Sequence, residues 1–205
     1  MERVGEVEQV QGPYTWDDLL KLDEDDLREL IDGEFVEVEV PGGPHEYVVL
    51  KLVTALENWA NATEAGIVLA SGYPVRISER RGVMPDAQFY ARDNPSLRDQ
   101  QDSLSQGHPS LAVEISSPSS RRIDRVVKFG YYASIGTPEY WIIDPVARTL
   151  DRFLLRDEQY APVDSLGENA FFRPETLPGF ELALERIWPT EQAVKLFEKL
   201  QRGPP

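Results

Sequence analysis

Two short apolar segments with a helical segment between them restrict the fold of this chain most. Leu111–Ser116 alternates as a strand does, and Glu139–Asp144 is a second apolar strand. A helix that Ser119 or Ser120 caps is predicted between them and runs to about Ser134. Strands that neighbour helices in this way require a layered fold, so we expect an α/β or α+β arrangement with a mixed sheet.

The same patterns predict the remaining elements on either side of this segment. The predicted helices follow Thr15 as far as Leu20, then cover Asp25–Leu30 with a stop at Gly33, His45–Ala62, and a C-terminal stretch from Thr190 to Leu200. The predicted strands cover 35–40, 67–70, 73–77 and 86–90, followed by a hairpin over 149–155 and 159–163. Arg80-Arg81-Gly82 is predicted as a basic turn, and Arg92–Pro109 as a long surface loop.

Composition excludes several classes of protein. The 205 residues include no cysteine, so disulfides and thiolate metal sites are ruled out. No apolar run approaches the roughly 18 residues that span a bilayer, and the acidic N-terminus lacks a hydrophobic signal region. We therefore expect a cytoplasmic protein with no membrane partner, forming one domain over residues 1–205.

The charge is strongly negative but unevenly distributed. The formal net charge is −15, and residues 1–70 carry 17 acidic and 4 basic side chains, whereas residues 71–150 carry 9 and 10. Any basic face for an anionic ligand is therefore expected in the middle of the chain.

Glu114 is the most informative residue of the central strand. The alternation places Leu111, Val113 and Ile115 on one face. Glu114 shares the other face with its small neighbours Ala112 and Ser116. A carboxylate in this position lies either on a solvated face or in a cleft.

A second acid, Asp86, follows Pro85 at the start of a neighbouring strand. Such an aspartate is often only a turn residue. Two acids on adjacent strands can, however, converge on one divalent cation, because Mg²⁺ prefers one or two carboxylates, a carbonyl and several waters.

The predicted helix after Glu114 carries Asp124 and Lys128 four residues apart, so that they share a face. One interpretation is a solvated ion pair that contributes only a few tenths of a kcal/mol. In the other, Lys128 leans over the polar side of the strand and positions a water beside a metal.

The residues from Leu111 to Pro145 closely resemble the signature of the bacterial family of "putative restriction endonuclease" domains, a branch of the PD-(D/E)XK nuclease superfamily. The resemblance rests on Asp86 within Met84-Pro85-Asp86, then on Glu114, Ser117-Pro118-Ser119, Asp124, Lys128, Tyr132, Gly136 and Glu139-Tyr140-Trp141, together with Glu29-Leu30-Ile31-Asp32-Gly33-Glu34 and His45. It extends over roughly residues 14–185.

The resemblance implies a restriction-endonuclease-like core with a central mixed sheet flanked by helices, over about residues 30–165, and a C-terminal helix at about 190–201. It implies that Mg²⁺, or Mn²⁺ as a substitute, is held by Asp86, Glu114 and the carbonyl of Ile115. The superfamily lysine commonly lies two residues after the glutamate, where this chain has Ser116; this family uses a lysine from the following helix, here Lys128.

The implied activity is metal-dependent hydrolysis of DNA phosphodiester bonds, with Asp86, Glu114 and Lys128 as catalytic residues. The expected contacts to phosphates come from Arg121, Arg122 and Arg125. The expected additional site residues are Glu34, His45 and Asp124. A homodimer that joins two basic faces would offset the net charge.

An alternative from a different class is a catalytically inactive module that keeps the nuclease fold and uses it to bind protein or nucleic acid. Ser116 at the usual lysine position and the acidic surface favour this interpretation. The presence of Asp86, Glu114 and Lys128 together favours the enzyme, and RNA remains a possible substrate.

Overall fold

The computed structural model describes residues 12–23, 26–38, 41–97 and 108–202. The strands are β1 Glu29–Ile31, β2 Glu34–Val36, β3 Gly66–Ala70, β4 Val75–Ser78, β5 Arg81–Val83, β6 Ala87–Ala91, β7 Leu111–Ile115, β8 Glu139–Asp144, β9 Thr149–Arg156, β10 Gln159–Leu166, β11 Phe171–Phe172 and β12 Leu182–Ala183. The helices are α1 Trp16–Leu19, α2 Gly43–Thr63, α3 Phe129–Ser134 and α4 Glu191–Arg202, with a π-helix over Ile123–Lys128 directly before α3.

The central sheet has six strands in the order β10-β9-β8-β7-β6-β3. Strands β7 and β8 are parallel because the π-helix and α3 connect them, and the other neighbouring pairs are antiparallel. The predicted mixed sheet is therefore confirmed. The candidate site lies at β7 and at the start of its antiparallel neighbour β6.

Helices cover both faces of this sheet. On one face, Leu52 and Leu56 of α2 belong to the same buried cluster as Val113 and Ile115 of β7. On the other face, Tyr132 of α3 is buried within a second cluster that includes Ala112 and Tyr140. The predicted alternation along Leu111–Ile115 is confirmed, since successive side chains enter different cores.

A smaller antiparallel sheet, in the order β2-β1-β5-β4, adjoins the polar face of the central sheet. It corrects two predictions. The helix expected over Asp25–Leu30 is wrong for all of its described residues: residues 26–28 have no regular structure, and Glu29 and Leu30 lie on β1, where Leu30 is fully buried and pairs with Phe35 and Gly82. The basic turn expected at Arg80-Arg81-Gly82 is correct only for Arg80, because the turn covers residues 79–80 and β5 begins at Arg81. Residues 24–25 lie outside the described part.

Most other predicted elements are present with shifted ends. The helices predicted after Thr15, from His45 and from Thr190 are α1, α2 and α4, and the predicted hairpin is β9–β10. Strand β2 ends at Val36, earlier than predicted, and residues 39–40 lie outside the described part. The predicted loop after Arg92 contains a 3₁₀ turn at Pro95–Leu97, and residues 98–107 are not described. Among the described residues, no helix has both the length and the apolarity to cross a membrane.

Gly82 is required where α1 packs on the small sheet. A methyl group at this position would overlap the ring of Trp16 and lie 2.8 Å from Leu19 Cδ2. We expect Gly82→Ala to lower the free energy of unfolding by about 1–3 kcal/mol, the usual effect of overpacking.

Gly130 in α3 is the matched control for Gly82→Ala, because a methyl group there meets no atom within 4 Å. Gly130→Ala should stabilise the protein by about 0.5–1 kcal/mol, as helix propensity requires. Urea denaturation measures both, and equal effects would contradict the packing argument.

Candidate active site

A cavity of about 150 Å³ lies at the end of β7, where the central sheet, the start of α2 and the π-helix meet. It is lined by Val38, Pro41, Gly42, His45, Met84, Asp86, Glu114, Ile115, Ser117, Ser120, Asp124 and Lys128. The structure therefore brings together five side chains that the sequence predicted for the site, together with Ile115.

Glu114 lies at the base of this cavity and is almost completely buried, with 3% of its surface exposed. Its Oε1 accepts a hydrogen bond from the Tyr132 hydroxyl at 2.8 Å, and its Oε2 accepts one from the Lys128 ammonium at 3.1 Å. Of the two placements that the sequence left open, a solvated face and a cleft, the structure has the cleft.

Lys128 leans from the end of the π-helix onto the polar side of β7. Its ammonium lies 2.8 Å from Glu29 Oε1 on β1 and 3.1 Å from Glu114 Oε2 on β7. Both Lys128 and Asp124 are buried, so the solvated ion pair considered for them is not formed. Insertions of π-helix are frequent at functional sites, and the wider turn changes which side chains share a face.

Asp86 is held at the start of β6 by two donors. Its Oδ2 accepts the backbone N–H of Ile115 at 2.7 Å and lies 3.3 Å from Nε2 of His45 in the first turn of α2. The Nδ1 of His45 lies 3.2 Å from Glu46 Oε1. Asp86 is thus tied directly to the end of β7, beside Glu114.

Asp124 is fixed by the loop between β7 and the π-helix. Its Oδ2 accepts hydrogen bonds from the hydroxyls of Ser116 at 2.8 Å and Ser120 at 2.7 Å. The hydroxyl of Tyr140 donates to the backbone carbonyl of Asp124 at 3.0 Å. Ser116, at the position of the superfamily lysine, therefore orients a carboxylate.

The charges of this cavity are strongly coupled. Burial raises the pKa of Glu114 well above its ordinary value, and the neighbouring Asp124 and Asp86 add to this, although Lys128 opposes them. Burial works against the charge of Lys128, but Glu114 and Glu29 raise its pKa above the ordinary value, so it remains an ammonium. Burial raises the pKa of Asp124 as well.

The imidazole of His45 also gains affinity for a proton. Burial lowers its pKa, but the hydrogen bond and the negative charge of Asp86, together with Glu46, outweigh that effect and raise it. Three carboxylates that line the cavity thus face one ammonium and one imidazole.

This donor set fits a hard divalent cation. Asp86, Glu114 and Ile115 line one cavity, where the two carboxylates and the Ile115 carbonyl could supply oxygen ligands, and the excess of carboxylates favours positive charge. Within the described part of the chain, no three histidine or acidic side chains are grouped closely enough to hold one metal ion. Two carboxylates, one carbonyl and waters are therefore the ligands that this cavity would offer to Mg²⁺.

The remaining predicted residues lie outside the cavity. Arg121 pairs with Asp144 at 2.7 Å, Arg125 pairs with Asp151 at 2.6 Å, and Arg122 is exposed. Arg121 and Arg122 nevertheless directly follow the loop that forms one wall of the cavity, and Arg125 lies in the π-helix after it. Glu34 is exposed on β2 and does not line the cavity.

Two residues that contact the site were given no role from the sequence. Glu29 and Tyr132 both lie within the segments that carry the family resemblance. That location was the only sequence feature that could have pointed to them as site residues. Their contacts to Lys128 and Glu114 depend on tertiary structure, because Glu29 is about 100 residues from Lys128 in the chain and Tyr132 reaches Glu114 only where α3 packs on β7.

Comparison with known proteins identifies the family of this chain and a solved structure with a similar fold. Residues 16–185 match the Uma2 family, described as "Putative restriction endonuclease". The chain belongs to the Uma2 family. No curated protein matches it significantly.

A solved structure similar to this Uma2 protein is the crystal structure of a "putative nuclease belonging to DUF820" from Anabaena variabilis ATCC 29413. The two share 18% sequence identity with a TM-score of 0.70, over 86% of this chain and 98% of that one. At this identity the likeness establishes the fold, which confirms the predicted core. The family and the fold together support a nuclease.

Proposed function

We propose that this Uma2 protein is a Mg²⁺-dependent endonuclease that hydrolyses phosphodiester bonds of DNA, with Mn²⁺ as a possible substitute. The observation that carries the proposal is the contact of the Lys128 ammonium with Glu114 Oε2 at 3.1 Å, in the cavity that Asp86 also lines. The three residue types of a PD-(D/E)XK site are thereby adjacent, although the lysine comes from the helix and not from the strand.

In this proposal Asp86, Glu114 and the carbonyl of Ile115 hold the cation. The metal would polarise a phosphoryl oxygen and lower the pKa of a bound water. Lys128 orients the attacking water and stabilises the charge that develops on the phosphate. Tyr132 holds the Glu114 carboxylate, and the N–H of Ile115 holds that of Asp86, so that both face the cavity.

The alternative, an inactive binding module, rested partly on Ser116 at the usual lysine position. Lys128 contacts the Glu114 carboxylate from the π-helix, so this site has a lysine despite Ser116, and this favours the enzyme. A homodimer remains part of the proposal, since two basic segments together would offset the acidic surface. Sedimentation that shows only monomer would count against the dimer.

Cleavage of supercoiled plasmid and of single-stranded DNA tests the proposal. Wild type should cleave in Mg²⁺ or Mn²⁺ but not in EDTA, and Glu114→Gln and Asp86→Asn should each lose this cleavage. Calorimetry should give Mg²⁺ binding for wild type and much weaker binding for Asp86→Asn. A protein that binds no Mg²⁺ or Mn²⁺ and cleaves nothing would favour the binding module.

The phosphate contacts make a separate prediction about salt. Arg122→Gln should weaken DNA binding similarly for all sequences and reduce the slope of log K against log salt by about 1, because one phosphate contact is lost. The binding assay would use Glu114→Gln protein to prevent cleavage. Arg173, whose exposed guanidinium stacks on Phe171 away from the cavity, is the control. An equal change of slope in Arg173→Gln would contradict a specific role for Arg122.

A further inference from the structure

We propose that Glu29 is the positioning residue that anchors the Lys128 ammonium in the cavity. The expected effect of Glu29 on catalysis rests on the proposed function, whereas the anchoring of Lys128 by Glu29 does not depend on it. It assigns a role to a carboxylate on the small sheet, outside the Asp, Glu and Lys trio.

Glu29 has the geometry of an anchor. Its Oε1 lies 2.8 Å from Lys128 Nζ, closer than Glu114 Oε2 at 3.1 Å. Only 4% of Glu29 is exposed, and it does not line the cavity, so it faces the lysine from behind and is screened from a substrate. A buried ion pair of this kind holds its partner in a defined position when both groups are also hydrogen-bonded.

Glu29 is itself held firmly in place. Its Oε1 accepts the backbone N–H of Met84 at 2.8 Å, just before Asp86 in the chain. Strand β1 pairs with β2 on one side and β5 on the other, which restricts the backbone of Glu29. The lysine is therefore positioned relative to the same segment that carries Asp86.

A second anion is needed because Glu114 has another task in the proposed reaction. A carboxylate whose charge is shared with a cation attracts an ammonium less strongly. Lys128 is the only buried lysine among the five in the chain, since Lys21, Lys51, Lys195 and Lys199 are exposed. Glu29 would keep this buried charge compensated and in place independently of Glu114.

Exchange of the lysine ammonium hydrogens with water tests the anchor in the metal-free protein. In protein labelled with ¹⁵N-lysine, the buried Lys128 should give a protected Nζ signal, which Lys128→Met identifies by its loss. Glu29→Gln should speed this exchange more than Glu114→Gln does. The proposal is overturned if Glu29→Gln leaves the exchange within two-fold of wild type, or if Glu114→Gln speeds it as much.

Kinetics test the consequence for catalysis. Glu29→Gln should lower kcat by about 10–100-fold, as expected for a residue that orients a catalytic group, with KM and Mg²⁺ affinity changed less than about three-fold. Glu29→Asp keeps the charge and should recover part of kcat. In a Lys128→Met background, Glu29→Gln should cause no further loss, because Glu29 acts through the lysine.

Glu139→Gln is the matched control. Glu139 is equally buried and pairs with a buried arginine, but it does not line the cavity. The Glu139→Gln substitution should leave kcat unchanged. An equal loss of kcat in Glu29→Gln and Glu139→Gln would show that Glu29 has only a structural role. If wild type cleaves no DNA, the proposed function fails, while the exchange measurement still decides whether Glu29 anchors Lys128.

Discussion

Lys128→Met should lower metal-dependent DNA cleavage by about 10²–10³-fold, the usual effect of removing one group that stabilises developing charge. The ammonium lies in the cavity beside Glu114 and is the one lysine near the predicted metal ligands. Mg²⁺ binding should persist, because neither Asp86 nor Glu114 is altered. Single-turnover cleavage of a labelled duplex, with calorimetry of Mg²⁺, measures the two effects separately.

The same substitution also affects stability, and this requires a control. Removing Lys128 leaves Glu29 and Glu114 buried without their partner, which destabilises proteins by about 3–5 kcal/mol. Ser116→Lys in the Lys128→Met background separates the effects. It moves the ammonium to the position that the superfamily pattern uses, on the same face of β7 as Glu114, and should restore part of the cleavage. Full activity of Lys128→Met alone would contradict the role of the lysine.

Arg152→Met should destabilise the protein by about 3–5 kcal/mol without changing the chemistry of the site. Arg152 on β9 is 1% exposed, and its Nε donates to Glu139 Oε1 at 2.7 Å. Its Nη1 donates to Asp164 and Glu175, and its Nη2 donates to Thr176. Without the guanidinium, Glu139 becomes a buried carboxylate with no cationic partner, which is the source of the loss.

Thermal and urea denaturation would measure this effect as a fall of Tm on the order of 10 °C. Arg156→Met is the control on the same strand, because Arg156 is exposed and should change stability by less than about 0.5 kcal/mol. Combining Arg152→Met with Glu139→Gln should recover part of the stability, since the unpaired charge is removed. A loss in Arg152→Met no larger than in Arg156→Met would show that the buried network contributes nothing.

The sequence predicted the central part of the fold because its signals are local. Leu111–Ile115 alternates with period two, so the face of each side chain follows from strand geometry alone, and Glu114 is found opposite Ile115 as expected. Helix α2 has apolar residues at helical spacing over 21 residues, which is long enough for the periodicity to be unambiguous.

The wrong predictions concern secondary-structure elements that are too short to show a hydrophobic periodicity. Strands β1 and β5 have three residues each, and the segment around Glu29 and Leu30 fits a helix equally well by composition. Pairing between Leu30 and Gly82, which are distant in the chain, decided in favour of the strand. Tertiary contacts override local propensity in such segments.

The sequence by itself therefore determined the layered fold with its mixed sheet, the face on which Glu114 lies, and the residue types of the candidate site. Only the tertiary structure decided that Lys128 is buried between Glu114 and Glu29, that Ser116 orients Asp124, and that Arg121 and Arg125 pair with acids. The physical reason is that periodicity specifies the direction of a side chain relative to its own element. The partner of a buried charge comes from another element, and the burial is tolerated only where that partner is present.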